Sequence, residues 1–232
     1  MQAISDLWAS RNQKAWSDAL AGYWNMPSVV KKLDLERYMD ELDPQATKRL
    51  DSPEWYAFLD KYFRWKFDNG TYLQGRLDNL KSNSRERLFR VKESLFAFGL
   101  VNIPGSLGIA QEINGLGPAG ASGLLAVLFP KWFGTADKFV VKALRKIESL
   151  RERPQVLAMM PVRRNPKGKE TEDSVNEKEA VLLIDIMRRK ATDLNALFSR
   201  TDEWWTPRKI DKILWASPRD GADARCLSRT TS

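Results

Sequence analysis

The sequence predicts an all-α fold. Apolar residues recur at steps of three and four along most of the chain, as they do on one face of an α-helix. Several of these segments open with a capping residue and a proline, which is a typical helix start, and no convincing run of alternating residues indicates a β-strand. The 232 residues can bury a substantial core, either as one compact domain or as two helical lobes that share a cleft. We expect the two lobes.

Four helices are predicted in the N-terminal half. The first two cover residues 10–24 and 27–42. The third, 53–67, follows Ser52 as its N-cap and has Pro53 at its first position. The fourth covers residues 85–98. Apolar stripes mark the last two helices and comprise Trp55, Phe58, Leu59, Tyr62 and Phe63 in one, and Leu88, Val91, Leu95 and Phe98 in the other.

In the C-terminal half, short helices are predicted at 105–112 and 118–129, and a longer one at 178–198. The stripe of the longer helix comprises Leu183, Met187, Ala191, Leu194 and Phe198. Thr206 caps a closing helix that starts at Pro207 and carries Ile210, Ile213, Leu214 and Trp215.

Residues 1–216 are therefore expected to form one helical domain, with lobes at about 1–100 plus 178–216 and at 101–150. Segment 151–177, which contains three prolines and a mixed-charge cluster, is predicted to be a mobile loop. The polar tail 217–232 is predicted to be disordered.

Charge and composition limit the classes of partner and of catalytic site that the chain can have. There are 38 Lys and Arg residues against 30 Asp and Glu residues, a net charge of +8, and the pI is about 9.6. This balance favours an anionic partner, nucleic acid first and a membrane surface second. The chain has no histidine and a single cysteine, Cys226, so catalytic triads with histidine, zinc fingers and four-cysteine iron–sulfur clusters are excluded. Acid–base chemistry would fall to Asp, Glu, Lys or Tyr.

The expected location is the cytoplasm. Residues 1–11 lack the basic start and apolar core of a secretory signal, and one cysteine cannot form an intrachain disulfide. Between 99 and 130 the only charged residue is Glu112, but several polar residues and glycines interrupt the segment. We expect buried or DNA-facing helices there, and no membrane partner.

The most informative segment, 113–122, reads INGLGPAGAS. Its glycines fit a dinucleotide-binding turn, but that turn needs a preceding strand, and a helix is predicted instead, so no nucleotide cofactor is expected. Two helices joined by a glycine turn favour a helix-hairpin-helix, whose backbone N–H groups hold a DNA phosphate. A plain helical hairpin remains the alternative on this pattern alone.

Asp137 lies twenty residues after Gly117, within FGTADKFV. With the hairpin, this pattern resembles the helix-hairpin-helix superfamily of DNA glycosylases over residues 105–144. Residues 62–67 and 205–215 are more loosely similar to divergent members related to 8-oxoguanine glycosylases. The resemblance implies that Asp137 stabilises positive charge on the sugar and orients a water molecule. The alternative is that Asp137 only caps its helix.

The resemblance also implies the other site residues. Backbone contacts to double-stranded DNA are expected from Asn114, Gly115, Gly117, Ala119, Gly120, Lys131 and Lys138. Base pocket or wedge candidates are Trp65, Lys66, Trp132, Trp204 and Trp205. Family members that also cut the strand have a lysine where this chain has Ala119, so we predict a monofunctional enzyme that leaves an abasic site. A monomer with no catalytic metal is expected, and no cofactor other than a monovalent cation at turn 113–118.

The substrate is expected to be a modified base, whether alkylated, oxidised or hypermodified as in glucosylated hydroxymethylcytosine. The role would be base-excision repair or defence against phage. Three other functions remain open. The chain could be a non-catalytic DNA-binding module, a toxin-like or regulatory protein with an acidic partner, or a metal-dependent nuclease. The last is the weakest, because its carboxylates at 170–173 are predicted to lie in a loop.

Overall fold

The computed structural model of the protein describes residues 3–67, 70–164, 170–172, 174–198 and 204–217. The fold is all-α, as predicted, with one small pair of strands. The helices of the described residues are α1 (Ile4–Ala9), α2 (Gln13–Trp24), α3 (Pro27–Val30), α4 (Leu33–Asp40), α5 (Pro44–Lys48), α6 (Ser52–Lys66), α7 (Gly70–Lys81), α8 (Arg85–Ala97), α9 (Ile103–Gln111), α10 (Pro118–Leu128), α11 (Lys138–Arg145), α12 (Arg153–Ala158), α13 (Glu177–Leu197) and α14 (Pro207–Ala216).

Side-chain caps explain where the helices that carry the site begin. Thr206 caps α14 by accepting a hydrogen bond from the Lys209 N–H, as predicted. Helix α6 begins one residue earlier than predicted, because the N-cap is Asp51 and not Ser52. Asp51 accepts from the Glu54 N–H at 2.8 Å, and the Glu54 carboxylate accepts from the Asp51 N–H at 2.9 Å. This reciprocal pair satisfies two backbone donors at the helix start.

Two other predictions of local structure were wrong in part. The helix predicted over 27–42 is divided into α3 and α4, because Lys32 leaves the helical conformation with φ −132°. Segment 151–177, predicted as a loop, contains α12 and an antiparallel pair of strands, β1 (Val162–Arg164) and β2 (Glu170–Glu172). Pro154 lies in the first turn of α12, where its missing N–H costs nothing, so it starts a helix and does not interrupt one.

Strand β2 also changes the setting of the carboxylates at 170–173, which were expected in a loop. Residues 165–169 and 173 of that segment lie outside the described part of the chain, as does the predicted disordered tail from 218 onwards.

One continuous hydrophobic core extends from Ile4 to Leu214 and includes side chains from both predicted lobes. The predicted stripes of α6, α8, α13 and α14 supply much of it. Helix α10 lies at its centre, since every residue from Gly120 to Leu128 is buried. The prediction of buried helices in the weakly charged segment 99–130 is thereby confirmed for α10. Among the described residues, no helix combines the length and the apolar character needed to cross a membrane.

Candidate active site

A cavity of about 180 Å³ opens beside the N-terminus of α11. Its wall combines aromatic rings with six charged side chains, drawn from α2 to α4, α6, the segment before α11, α11 itself and α14. The residues around it are Tyr23, Ser28, Lys32, Glu36, Trp65, Lys66, Thr135, Asp137, Phe139, Val140, Arg208, Asp211 and Trp215. A concave wall that combines aromatic rings with converging polar groups is typical of a ligand-binding site.

Asp137 uses its two carboxylate oxygens differently. Oδ1 accepts from the Phe139 and Val140 N–H groups at 2.9 and 3.2 Å, so it caps α11, which is the alternative role that the sequence left open. Oδ2 lies 3.4 Å from the Lys66 Nζ, and Asp137 and Lys66 both line the cavity. The side chain is 14% exposed. One oxygen therefore has a structural role, and the other remains available for chemistry.

The backbone before Asp137 is fixed from two sides. The Thr135 N–H donates to Asp211 Oδ2 at 2.6 Å, and the Ala136 N–H donates to Ser122 Oγ on α10 at 2.9 Å. Gly134 permits the approach of α14, since a Cβ at this position would lie 2.6 Å from the Pro207 carbonyl oxygen. These contacts fix the backbone that leads into Asp137, and the α11 cap fixes its Oδ1.

Lys66, at the end of α6, brings its ammonium group to the same point. Its aliphatic chain crosses α10 at Gly123, where an added Cβ would lie 3.3 Å from Lys66 Cε and 2.6 Å from the Tyr62 hydroxyl. Tyr62 donates to the Gly120 carbonyl at 2.6 Å and so joins α6 to α10. The Lys66 side chain is only 13% exposed. Its amine is therefore held against α10 and directed at Asp137.

Three buried polar atoms around the cavity have no hydrogen-bond partner among the described residues. They are Ser28 Oγ, Trp65 Nε1 and Arg208 Nη2. Trp65 and Arg208 are 6% and 5% exposed, so water replaces few of the missing bonds. Each can donate a hydrogen bond, and an unsatisfied buried donor costs stability. The residues of the cavity wall therefore carry hydrogen-bond donors that no described residue satisfies.

Buried charges surround these donors. Arg208 Nη1 donates to both Asp211 oxygens at 3.2 Å. Burial lowers the pKa of Arg208, but Asp211, Tyr23, Glu36 and Asp40 together raise it by more, so the guanidinium stays charged. The Tyr23 hydroxyl donates to Glu36 at 2.7 Å. Burial, opposed in part by Arg208, raises the pKa of Tyr23 well above its ordinary value, so Tyr23 remains a neutral donor.

Helices α9 and α10 pack against each other and are joined by turn 112–117. Gly115 has φ +100°, a conformation that favours glycine. Its carbonyl accepts from Arg76 Nη1 at 2.8 Å, so the guanidinium supplies positive charge at the turn where a monovalent cation was predicted. Gly117 is exposed and precedes α10, and no side chain caps that helix. The first amides of α10 therefore begin at an open surface.

The predicted DNA contacts differ in accessibility. Gly117, Lys131 and Lys138 are exposed, and Ala119 is half-buried. Gly120 is buried. Asn114 is half-buried and engaged with the end of α7, because its N–H donates to Asn83 and its side-chain amide donates to Ser82.

Of the predicted pocket residues, the structure brings Trp65 and Lys66 together with Asp137 at the cavity. The other three tryptophans lie elsewhere. Trp132 and Trp204 are 41% and 64% exposed, and Trp205 is buried in the core against Trp16. Tryptophan content alone could not separate these roles, because the same residue type serves packing and recognition.

Sequence reasoning assigned no role to the other charged and polar residues of the cavity. Tyr23, Ser28, Lys32 and Glu36 carry no signal that would have found them. Arg208 and Asp211 do carry a sequence signal, because these two opposite charges lie three residues apart among the apolar residues of α14. An opposite-charge pair that faces the core indicates a buried network.

Comparison with protein family models, with curated proteins and with solved structures found no match. The described residues contain no group of three or more carboxylate or cysteine side chains that could hold a metal ion.

Proposed function

We propose that this protein is a DNA glycosylase, which receives a modified base flipped out of duplex DNA and breaks its N-glycosidic bond. The observation that carries the proposal is the Asp137 oxygen that does not cap α11. Asp137 lines a cavity with aromatic walls and unpaired donors, and the backbone before it is held from two sides. The proposal accounts for the cavity and the turn together.

Asp137 supplies the chemistry. Departure of the base develops positive charge on the sugar, and a carboxylate already fixed beside the sugar stabilises that charge without reorganising. The N-terminus of α11 and the Lys66 ammonium both place positive charge next to this carboxylate.

The cavity wall supplies base recognition. Aromatic rings of Trp65 and Tyr23 offer apolar contact in place of the stacking that a flipped base loses. The unpaired donors Ser28 Oγ, Trp65 Nε1 and Arg208 Nη2 require acceptors on the base, such as carbonyl or hydroxyl oxygens. A fixed guanidinium also disfavours a cationic alkylated base. Oxidised or hydroxyl-bearing bases are therefore the preferred substrates, in repair or in phage defence.

The turn before α10 supplies DNA binding. Exposed Gly117 lets a phosphate approach the first amides of α10, which the helix dipole makes partly positive. The net charge of +8 strengthens this contact in a salt-dependent way. Such contacts position the enzyme on double-stranded DNA and read no sequence.

The test uses duplex oligonucleotides that each carry one modified base, including oxidised, hydroxymethylated, glucosylated and alkylated examples. After incubation, hot alkali breaks the strand at every abasic site. The proposal predicts strand breaks after alkali in at least one duplex with the wild type, and their loss with Asp137→Asn purified in the same way. Binding to every duplex without breaks in any of them would identify a non-catalytic DNA-binding module and contradict the proposal.

A further inference from the structure

The Lys66 amine has a position that its role in folding does not explain. It is the terminal group of a side chain held over α10, it lies 3.4 Å from Asp137 Oδ2, and both residues line the cavity. At this separation the contact is a loose ion pair rather than a well-formed hydrogen bond. A lysine that served only to neutralise Asp137 could do so from solvent.

The packing shows that the position is built. Gly123 leaves the space through which the Lys66 chain passes, and a methyl group there would press on Cε at 3.3 Å. The Tyr62 hydroxyl, which would be 2.6 Å from that methyl group, is fixed by its bond to Gly120. Rotamers that take the amine away from Asp137 lose this support.

We infer that Lys66 is a nucleophile of the site and that the enzyme also cuts the DNA strand at the abasic position. This inference rests on the proposed function. It replaces the prediction of a monofunctional enzyme, which considered only position 119 and took the alanine there to mean that no amine is available. Here α6 supplies the amine instead.

The reaction balances with the groups present. The Lys66 ammonium gives one proton to Asp137, and the neutral amine attacks C1′ of the sugar. The bond from C1′ to the base breaks, the base leaves with the electron pair and takes the proton from Asp137. A second proton passes from Nζ to the ring oxygen O4′, the bond from C1′ to O4′ breaks, and an iminium joins C1′ to Lys66.

Strand cleavage follows from the iminium. Asp137 removes a proton from C2′, and the bond from C3′ to its oxygen breaks, so that the 3′ phosphate leaves as a monoester. Water then hydrolyses the imine and releases Lys66. No oxidant, reductant or metal takes part. The close approach of carboxylate and amine is what this sequence of proton transfers requires.

Borohydride reduces an iminium to a stable amine, so it captures the intermediate. The test uses full-length protein and two duplexes, one with a preformed abasic site and one with a modified base that the wild type releases. We expect a covalent protein–DNA adduct with both. Digestion and mass spectrometry should locate the adduct on Lys66.

The variants are Lys66→Arg, which keeps the charge but cannot form the iminium, and Lys61→Gln as the matched control. Lys61 is an exposed lysine on the same helix. Lys66→Arg should abolish the adduct and strand cleavage, whereas Lys61→Gln should retain both. Thermal melting of each variant checks that it is folded.

The outcomes separate the two proposals. Base release without any adduct, or an adduct on another lysine, overturns the inference and leaves the proposed function intact. An adduct on Lys66 with abasic DNA, but no release of any modified base, supports the inference and overturns the proposed function.

Discussion

Replacing Asp137 by asparagine should separate its structural role from its catalytic one. Asparagine can keep the cap, because its amide oxygen replaces the Oδ1 that accepts from Phe139 and Val140. It is also as good an N-cap as aspartate. The substitution changes the second oxygen, Oδ2, which lies 3.4 Å from Lys66 Nζ in the wild type. In the variant an NH₂ group takes its place.

The structure gives the size of both effects. Loss of the charge at the start of α11 should cost about 0.3–1 kcal/mol of stability, and loss of the Lys66 pair, whose side chains are 13% and 14% exposed, about 3 kcal/mol more. Loss of a fixed charge at the reacting sugar should slow base release by about 10²–10³-fold. Asp137→Ala also removes the cap, which should cost about 1 kcal/mol further.

Urea denaturation measures stability, and single-turnover release of a base from the best wild-type substrate measures the rate. We expect Asp137→Asn to be nearly as inactive as Asp137→Ala while clearly more stable. Wild-type activity in Asp137→Asn would refute the argument. So would a loss of activity in the two variants that simply parallels their loss of stability.

Three further predictions concern different parts of the molecule. Ser28→Ala removes an unpaired cavity donor and should weaken substrate binding by about 0.5–1.5 kcal/mol without loss of stability. Gly117→Ala should weaken DNA binding, because the added methyl group takes the open space through which a phosphate would approach. Its stability should not change, since a Cβ at this position meets nothing within 4 Å. Gly115→Ala should instead destabilise the fold, because Gly115 has a positive φ. Above about pH 10 the stability should fall as pH rises, because unfolded tyrosine loses its proton while Tyr23 keeps it.

Each of these has a matched comparison. Ser106→Ala removes a hydroxyl that is also buried and unpaired but lies on α9 away from the cavity, so substrate binding should be unaffected. Equal effects of the two serine variants would contradict the role of Ser28. Filter binding at several salt concentrations tests Gly117→Ala, and wild-type affinity counts against the turn. Tyr23→Phe should reduce the alkaline slope in urea titrations, and an unchanged slope would show that Tyr23 is not its source.

Much of the fold could be predicted because its signals are local. Caps and prolines gave the starts of α10 and α14, and apolar spacing gave the buried faces of α6, α8 and α13. Where a signal was ambiguous, the prediction failed. Pro154 reads equally well as a loop residue and as the first turn of α12, and only the packing of the finished chain decides.

The site was less predictable, because it is assembled from residues distant in sequence. Asp137 was found through its spacing from the glycine turn. Lys66 was found because residues 62–67 resemble a segment of divergent glycosylases. Their contact joins residues that are 71 positions apart. Ser28 and Glu36 reach the same cavity from short helices, and no periodicity predicts which polar residue of such a helix will face a cavity.

The central claim is that the cavity at Asp137 releases a base from DNA. The most direct test is to incubate DNA that carries oxidised or hydroxyl-bearing modified bases with the wild type and to identify free bases in the filtrate by mass spectrometry. We predict a free modified base with the wild type and none above background with Asp137→Asn. No free base from any DNA, or equal release by the two proteins, would contradict the account.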